Sequence, residues 1–130
     1  MPANFNQTAI LFINDSADDI GIVTNYAISF NQGTGTARAH ITVFINYDDK
    51  SPLFDFFIQN QPATVKLLTE NSLNSQGPTT RTIEFQNAVC LDYLETYDIN
   101  SQSDGSLNDL FAVITIEADS VTMGGTSFPA

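Results

Sequence analysis

Apolar and polar residues alternate along most of this chain, which is the pattern of β-strands that bury one face. The alternation is most regular in residues 37–46. One face of this segment is apolar and the other is mixed, with Ala37, Ala39, Ile41, Val43 and Ile45 on the first and Arg38, His40, Thr42, Phe44 and Asn46 on the second. The pattern predicts a strand with one buried face and one face that is exposed or meets a partner.

The preceding segment, residues 20–30, also alternates. Its pattern predicts a strand on which five residues share one face, namely Ile20, Ile22, Tyr26, Ile28 and Phe30. Residues 31–35 read Asn-Gln-Gly-Thr-Gly, and glycines adopt the positive φ angles of tight turns without strain. We therefore expect a hairpin between these two strands.

A helix signal interrupts the β pattern at residues 51–62. Ser51 is a suitable N-cap, and Pro52 suits the first helical position. Pro62 marks the end of the segment. The apolar residues are predicted to form one stripe that packs on the sheet, made of Leu53, Phe54, Phe57 and Ile58.

Further β segments are predicted at residues 8–14, 63–70, 79–87, 88–97 and 110–121. A bend is expected near Asn87, and residues 123–130 are expected to form a loose tail. About six or seven strands around one short helix predict a mainly β fold, an antiparallel β-barrel of two packed sheets. The whole chain, residues 1–130, is expected to form a single domain.

Two of these segments are apolar on both faces. They are residues 9–13, with Ile10 and Phe12 against Leu11 and Ile13, and residues 110–114, with Phe111 and Val113 against Leu110, Ala112 and Ile114. Such a strand is either covered on both sides within its own domain or exposed to a further interface. The pattern leaves both interpretations open.

The charge of the chain limits its partners. Four Lys and Arg against fifteen Asp and Glu give a formal net charge of −11. Nucleic acids and anionic membrane surfaces are therefore not expected to be bound, because binding them depends on cationic side chains. No stretch approaches the roughly 20 apolar residues of a transmembrane helix. The N-terminus lacks the basic and apolar regions of a secretory signal peptide.

Residues with catalytic or metal-binding chemistry are sparse. His40 is the only histidine, and we interpret it as a solvated or interface residue. Cys90 lies in an apolar segment and is interpreted as buried and inert. Residues 98–109 resemble a calcium-binding loop, but Ser103 and Asp109 stand where glycine and glutamate are required. Ten Phe and no Trp favour core or protein contacts over sugar binding. No cofactor, metal or catalytic site is expected.

Four segments, together with the strand that follows the first of them, resemble a known family when taken in order. The four segments are YAISFNQ at residues 26–32, the helix at residues 52–59, IEFQNAVCLDYLETYD at residues 83–98 and ITIEA at residues 114–118. The set resembles the tube protein of type VI secretion systems, the Hcp or TssD family, and its more divergent branch in particular. That family is related to the tube proteins of phage tails and of extracellular contractile injection particles.

The resemblance implies a non-enzymatic structural role. Barrels of this family form hexameric rings, and the rings stack into an inner tube that a contractile sheath propels. Sheath, spike and baseplate proteins are the implied partners, and effectors are the implied cargo of the lumen. Subunits would assemble in the cytoplasm and leave the cell through the machine. Relatives have a longer segment in place of residues 32–36 and a charged ending that residues 125–130 lack.

Contacts between subunits are expected at the hairpin turn and on the mixed face of the next strand, at Gln32, Gly33, Thr34, Gly35, Arg38, His40, Thr42 and Phe44. Two alternatives remain. A monomeric β-barrel or sandwich that binds a ligand or carbohydrate would have a pocket. A small enzyme would use carboxylates among Asp92, Glu95 and Asp98.

Overall fold

Six antiparallel strands close into a barrel in the computed structural model of the chain, which describes residues 6–14, 21–45, 51–72, 78–99 and 108–129. The elements in chain order are β1 Asn6–Ile13, β2 Gly21–Asn31, β3 Thr36–Phe44, α1 Pro52–Gln59, β4 Ala63–Ser72, β5 Pro78–Ile99, β6 Asn108–Ala118, β7 Ser120–Met123 and β8 Thr126–Phe128. The predicted mainly β barrel with one short helix is confirmed.

The barrel closes because the two halves of β5 pair with different strands. The order around the barrel is β1, β2, β3, β6, β5 and β4, which returns to β1. The first half of β5 pairs with β4, and the half that follows Val89 pairs with β6. The strand turns at Asn87, whose φ is 54°, so the predicted bend is confirmed. All eight strands belong to one sheet that closes on itself, rather than to two separate sheets.

The inner face of β3 forms the centre of the core, as its alternation predicts. Ala37, Ala39, Ile41 and Val43 are all buried. Ile114 and Ala112 on β6 are the cross-strand partners of Ile41 and Val43 and are buried as well. Where a strand has no irregularity, the alternation of apolar and polar residues therefore predicts its buried face correctly.

A β-bulge in β2 overturns part of the prediction for that strand. The pairing of β2 with β3 shifts between Val23 and Asn25, so one extra residue lies in β2. Such a bulge reverses which face each preceding residue occupies. Val23 is therefore buried, and Ile22 is 54% exposed on the outer face. Ile20 lies outside the described residues.

Helix α1 begins at Pro52 as predicted, but it turns a different face to the core. Leu53 and Phe56 are buried, whereas Phe54 and Ile58 are 44% and 59% exposed. The predicted stripe is wrong for these two because the helix meets the core along an i, i+3 line. Asn60 ends the helix in the left-handed conformation.

The end of the chain is a hairpin, so the expected loose tail is wrong for residues 126–128. The predicted strand 110–121 is two strands, β6 and β7, and β7 pairs with both β5 and β8. Gly124 and Gly125 connect β7 to β8 with φ angles of 58° and 84°. Two residues of positive φ form the tight hairpin turn whose twist matches the flanking strands.

Candidate subunit interface

The hairpin turn at residues 32–35 is held by its own hydrogen bonds. The Asn31 Oδ1 accepts hydrogen bonds from the backbone N–H groups of Gly33 at 2.8 Å and Thr34 at 3.2 Å. The Gly35 N–H donates to the Asn31 carbonyl at 2.8 Å, and the φ of Gly35 is 72°. Gln32, Gly33 and Thr34 are exposed. The candidate turn residues therefore form an ordered, exposed tip.

The four candidate residues of β3 share one outer face with β6. The Arg38 Nε lies 3.1 Å from the Glu117 Oε2, in an exposed ion pair that contributes little stability. The His40 Nδ1 lies 3.0 Å from the Thr115 Oγ1. These two pairs form the polar half of the face, next to the hairpin turn.

The other half of this face is apolar. Phe44 and Phe111 meet edge to face with ring centroids 5.6 Å apart. Thr42 lies opposite Val113. The structure thus brings Arg38, His40, Thr42 and Phe44 together as one face, and it places Gln32–Gly35 beyond its polar end.

Two further exposed apolar residues extend the Phe44 half of the face, and the sequence pattern missed both. Ile22 lies opposite Phe44, and Leu94 lies opposite Val113 and is 58% exposed. Leu94 follows a second irregularity in pairing, between Cys90 and Asp92. Each residue lies beyond an irregularity that reverses the alternation, so no period-2 pattern could place it.

The sheet that carries this face ends at two strand edges. Among the described strands, residues 23–31 of β2 pair with β3 alone, because β1 pairs with β2 only at Gly21 and Ile22. In the described part of β5, residues 89–96 pair with β6 alone. The four strands β2, β3, β6 and β5 therefore form a segment of sheet with an available edge on each side. Exposed edges of this kind pair readily with another chain.

A cavity of about 380 Å³ opens between the hairpin turn and the C-terminal hairpin. Its walls include Phe30, Gln32, Val121, Met123 and Phe128. Phe30 and Phe128 meet edge to face at a centroid distance of 5.1 Å. The cavity is the feature in the described structure that the ligand-binding alternative requires.

The carboxylates of the enzyme alternative do not converge. Asp92 lies opposite Thr115 on the outer face, whereas Glu95 lies opposite Ala112, whose side chain points into the barrel. The Tyr93 hydroxyl donates a hydrogen bond to the Glu95 carboxylate at 2.8 Å. Burial and this neighbour raise the pKa of Tyr93 to about 12. The side chain of Asp98 is outside the described residues.

Cys90 is buried in the barrel, as its apolar segment predicts. Its S–H group donates to the Asp92 carbonyl at 3.3 Å. Burial raises the pKa of the Cys90 thiol to about 11, and it outweighs the hydrogen bond with the Asp92 backbone, which lowers the pKa. The side chain is therefore the neutral thiol at physiological pH, which is a poor nucleophile.

Two kinds of feature are absent from the described residues. No group of three or more His, Cys, Asp and Glu side chains there is close enough to hold a metal ion. No helix in those same ranges has the length and apolar character needed to cross a membrane.

Comparison with solved structures gives strong matches over nearly the whole chain. Hcp1 from Flavobacterium johnsoniae is 20% identical, with a TM-score of 0.66 over 93% of this chain and 98% of that protein. The secreted protein Hcp3 from Pseudomonas aeruginosa is 12% identical, with a TM-score of 0.68 over 94% and 95%. This chain has the Hcp fold. The resemblance expected from the four segments is confirmed at the level of structure.

Sequence comparison adds nothing to this match. No protein-family model matches the chain, and no curated protein matches it. Hcp1 from Salmonella typhimurium, at 12% identity, again matches in structure, with a TM-score of 0.59 over 93% of this chain and 89% of that one. The Hcp fold is therefore kept here at identities that sequence comparison does not detect.

Proposed function

We propose that this protein is a structural subunit whose barrels join into hexameric rings, and that the rings stack into the inner tube of a contractile type VI secretion or injection machine. The observation that carries the proposal is the pair of available edges on the sheet β2–β3–β6–β5. The Hcp fold supports the same role, and six is the ring size that the family resemblance implies.

The directions of the two edge strands fit each other in a ring. Each strand of the sheet is antiparallel to its neighbour, so β2 and β5 run in opposite directions. When copies stand side by side around an axis along the strands, β5 of one copy is antiparallel to β2 of the next. Repeating this head-to-tail contact closes a ring and leaves no such edge exposed.

The same arrangement gives the outer face of β3 a different role from the predicted one. The rest of the barrel lies on the core side of the four-stranded sheet. The opposite face, with Arg38, His40, Thr42 and Phe44, then lines the central channel, and residues 32–35 stand at one mouth of it. We infer that these residues face the lumen and the adjacent ring, while the contacts within a ring belong to the edges of β2 and β5.

The partners, the cargo and the location of the protein follow from its role in the tube. Sheath proteins surround the tube, spike and baseplate proteins lie at its end, and the channel holds effector cargo. The protein acts by assembly and not by catalysis. It assembles in the cytoplasm and is delivered outside the cell by the machine, in line with the description of the Pseudomonas relative as secreted.

Solution mass tests the proposal. Light scattering over a concentration series, with negative-stain images of the same samples, is expected to show ring-sized particles and short stacks. Particles of about six subunits with a central hole support the ring. A monomer at every concentration, together with images free of rings, contradicts it.

The cavity beside Phe30 and Phe128 favours a second candidate function, a monomeric module that binds a small, largely apolar ligand. This alternative requires a monomer and a ligand that increases its thermal stability. A Thr126→Phe variant would place a ring on the cavity side of β8, the side that Phe128 occupies, without changing the edges of β2 and β5. If this variant forms rings as the parent does and no ligand stabilises the parent, the ligand-binding module is excluded.

A further inference from the structure

One core-facing row of the sheet β2–β3–β6–β5 is fully buried in its middle and only partly buried at its two ends. Ile41 of β3 and Ile114 of β6 lie opposite each other and are 0% exposed. Tyr26 on β2 is the partner of Ile41, and Tyr93 on β5 is the partner of Ile114. Both tyrosines are partly buried against the core. The core is therefore incompletely covered at the two available edges.

Helix α1 covers the β5 end of this row and leaves an apolar surface beside it. The rings of Phe54 and Phe57 meet the Tyr93 ring at centroid distances of 5.3 Å and 6.1 Å. Phe54 and Ile58, four residues apart, share one side of the helix and are 44% and 59% exposed. We call Phe54 and Ile58 the α1 face. Because Tyr93 belongs to an edge strand, the α1 face lies beside the β5 edge, on the side of the sheet away from the proposed channel.

The β2 end of the row has an opening where the β5 end has a helix. Among the described residues, β1 pairs with β2 only where β2 begins, whereas it follows β4 over its full length. Tyr26 and Ile28 point to the core from the part of β2 that β1 leaves, and both stay partly exposed. Their partners on β3, Ile41 and Ala39, are 0% exposed. The described strands thus leave a gap bordered by Tyr26 and Ile28, which we call the β1–β2 opening.

These two surfaces meet when copies join through their edges, so the inference rests on the proposed ring. We propose that the α1 face of each copy docks in the β1–β2 opening of the next copy, against Tyr26 and Ile28. At a seam, the β5 edge and the next copy's β2 edge form one continuous sheet, whose neighbouring strands lie about 4.8 Å apart. Both surfaces lie on the core side of that sheet, so closing the seam brings them together. The partner of the α1 face is therefore a second copy of this chain.

This contact supplies apolar burial that the strand edges alone lack. Hydrogen bonds between two edges replace bonds to water and add little net stability, whereas removing apolar surface from water drives association. The α1 face offers such surface on one copy, and Tyr26 and Ile28 offer it on the next. Each copy has one α1 face and one β1–β2 opening at opposite edges of its sheet. The contact therefore repeats head to tail, and a closed ring leaves neither surface uncovered.

A single tryptophan reports the contact, because the chain contains no other. The emission maximum of Ile58→Trp is expected to shift to shorter wavelength over the concentrations at which light scattering shows rings, since its indole leaves water. Gln59→Trp is the matched control on the same helix. Gln59 is exposed and lies about 100° further around the helix, so its emission is expected to stay that of an exposed indole. Unchanged emission of Ile58→Trp in assembled rings overturns the inference while the ring stands.

A double-mutant cycle tests which surface the α1 face meets. Ile58→Gln keeps a good helix former and Ile28→Thr a good strand former, and each is expected to raise the concentration at which rings dissociate by about tenfold or more. Within one copy the two residues lie at opposite edges of the sheet, so coupling between them arises across a seam. The double variant is expected to weaken the rings by less than the product of the two single effects.

The outcomes separate the contact from the ring. Single effects that multiply without coupling overturn the docking of α1 in the β1–β2 opening, while the parent rings stand. If Ile28→Thr folds poorly, the tryptophan test decides the same question, because it changes only the exposed Ile58. A parent that light scattering shows to be monomeric at every concentration overturns the proposed ring itself, and the contact with it.

Discussion

Ile22 lies opposite Phe44 on the outer face of the barrel, although the alternation of its strand places it with Tyr26 and Ile28, which are partly buried against the core. The bulge between Val23 and Asn25 causes the exchange. It puts an exposed isoleucine next to the edge at which β2 separates from β1. The same local irregularity thus adds an apolar residue to the outer face and precedes the beginning of the available edge.

The bulge predicts that threonine lowers the stability at one of two adjacent positions and hardly changes it at the other. Val23→Thr places a hydroxyl at a buried site and is expected to lower the free energy of unfolding by about 1–2 kcal/mol. Ile22→Thr changes an exposed site and is expected to stay within about 0.5 kcal/mol of the parent. Urea unfolding measures both. A larger loss for Ile22→Thr would mean that the strand has no bulge.

The contacts of α1 predict a similar contrast between two phenylalanines. Phe56 is 7% exposed, and truncation to alanine is expected to cost about 3–5 kcal/mol. Phe54 is 44% exposed and contacts Tyr93 with ring centroids 5.3 Å apart, so Phe54→Ala is expected to cost about 1 kcal/mol. Denaturant unfolding of the two variants is the measurement. Equal losses would show that the helix packs along the stripe predicted from sequence.

The buried thiol predicts a loss of stability at alkaline pH. The pKa of Cys90 is about 11 in the folded chain against an ordinary value of 9.0, so between these values the folded state binds more protons than the unfolded one. Stability then falls as the pH rises from about 9 to about 11. Cys90→Ala removes this contribution and is expected to lose less stability over that range. Tyr93 titrates in both proteins and affects both in the same way. If the plots of unfolding free energy against pH are parallel for the parent and Cys90→Ala, the loss of stability between about pH 9 and 11 does not come from Cys90.

The turn between β2 and β3 predicts that Gly35 is hard to replace. Its φ is 72°, and an added Cβ would lie 3.3 Å from the Pro129 ring. Gly35→Ala is expected to cost about 1 kcal/mol or more, since alanine is strained at positive φ. Gly125→Ala is the control, with a φ of 84° and nothing within 4 Å of the new Cβ. If thermal unfolding shows a smaller loss for Gly35→Ala than for the control, the contact with Pro129 is unimportant.

Local patterns predict this fold where the strands are regular. The alternation of β3 gives its buried face, Pro52 gives the start of the helix, and the bend at Asn87 lies where two strand patterns meet. The C-terminal hairpin also had a local signal, since the pair Gly124–Gly125 is typical of a two-residue turn. The strand after it, Thr126–Phe128, has only three residues, which is too short for an alternating pattern.

The candidate interface depends on facts that no local pattern contains. The irregularities before Asn25 and Asp92 are set by pairing with β3 and β6, and they decide that Ile22 and Leu94 face outward. The edge of β2 is available because β1 pairs with β4 over its full length and, among the described residues, with β2 at two positions only. The two segments that are apolar on both faces give a partial signal, since Phe111 and Val113 lie on the apolar half of the outer face.

The most direct test of the ring places charges across the proposed seam between β2 of one copy and β5 of the next. Asn25 belongs to the part of β2 that β1 leaves unpaired, and it lies in the same outward row as Leu94. Asn25→Glu with Leu94→Glu puts like charges on both sides of each seam, and Asn25→Lys with Leu94→Glu puts opposite charges there. Both sites are exposed, so the two double variants are expected to fold alike. Light scattering is expected to show monomers for the first and rings for the second. The same mass for both variants would contradict assembly through these edges.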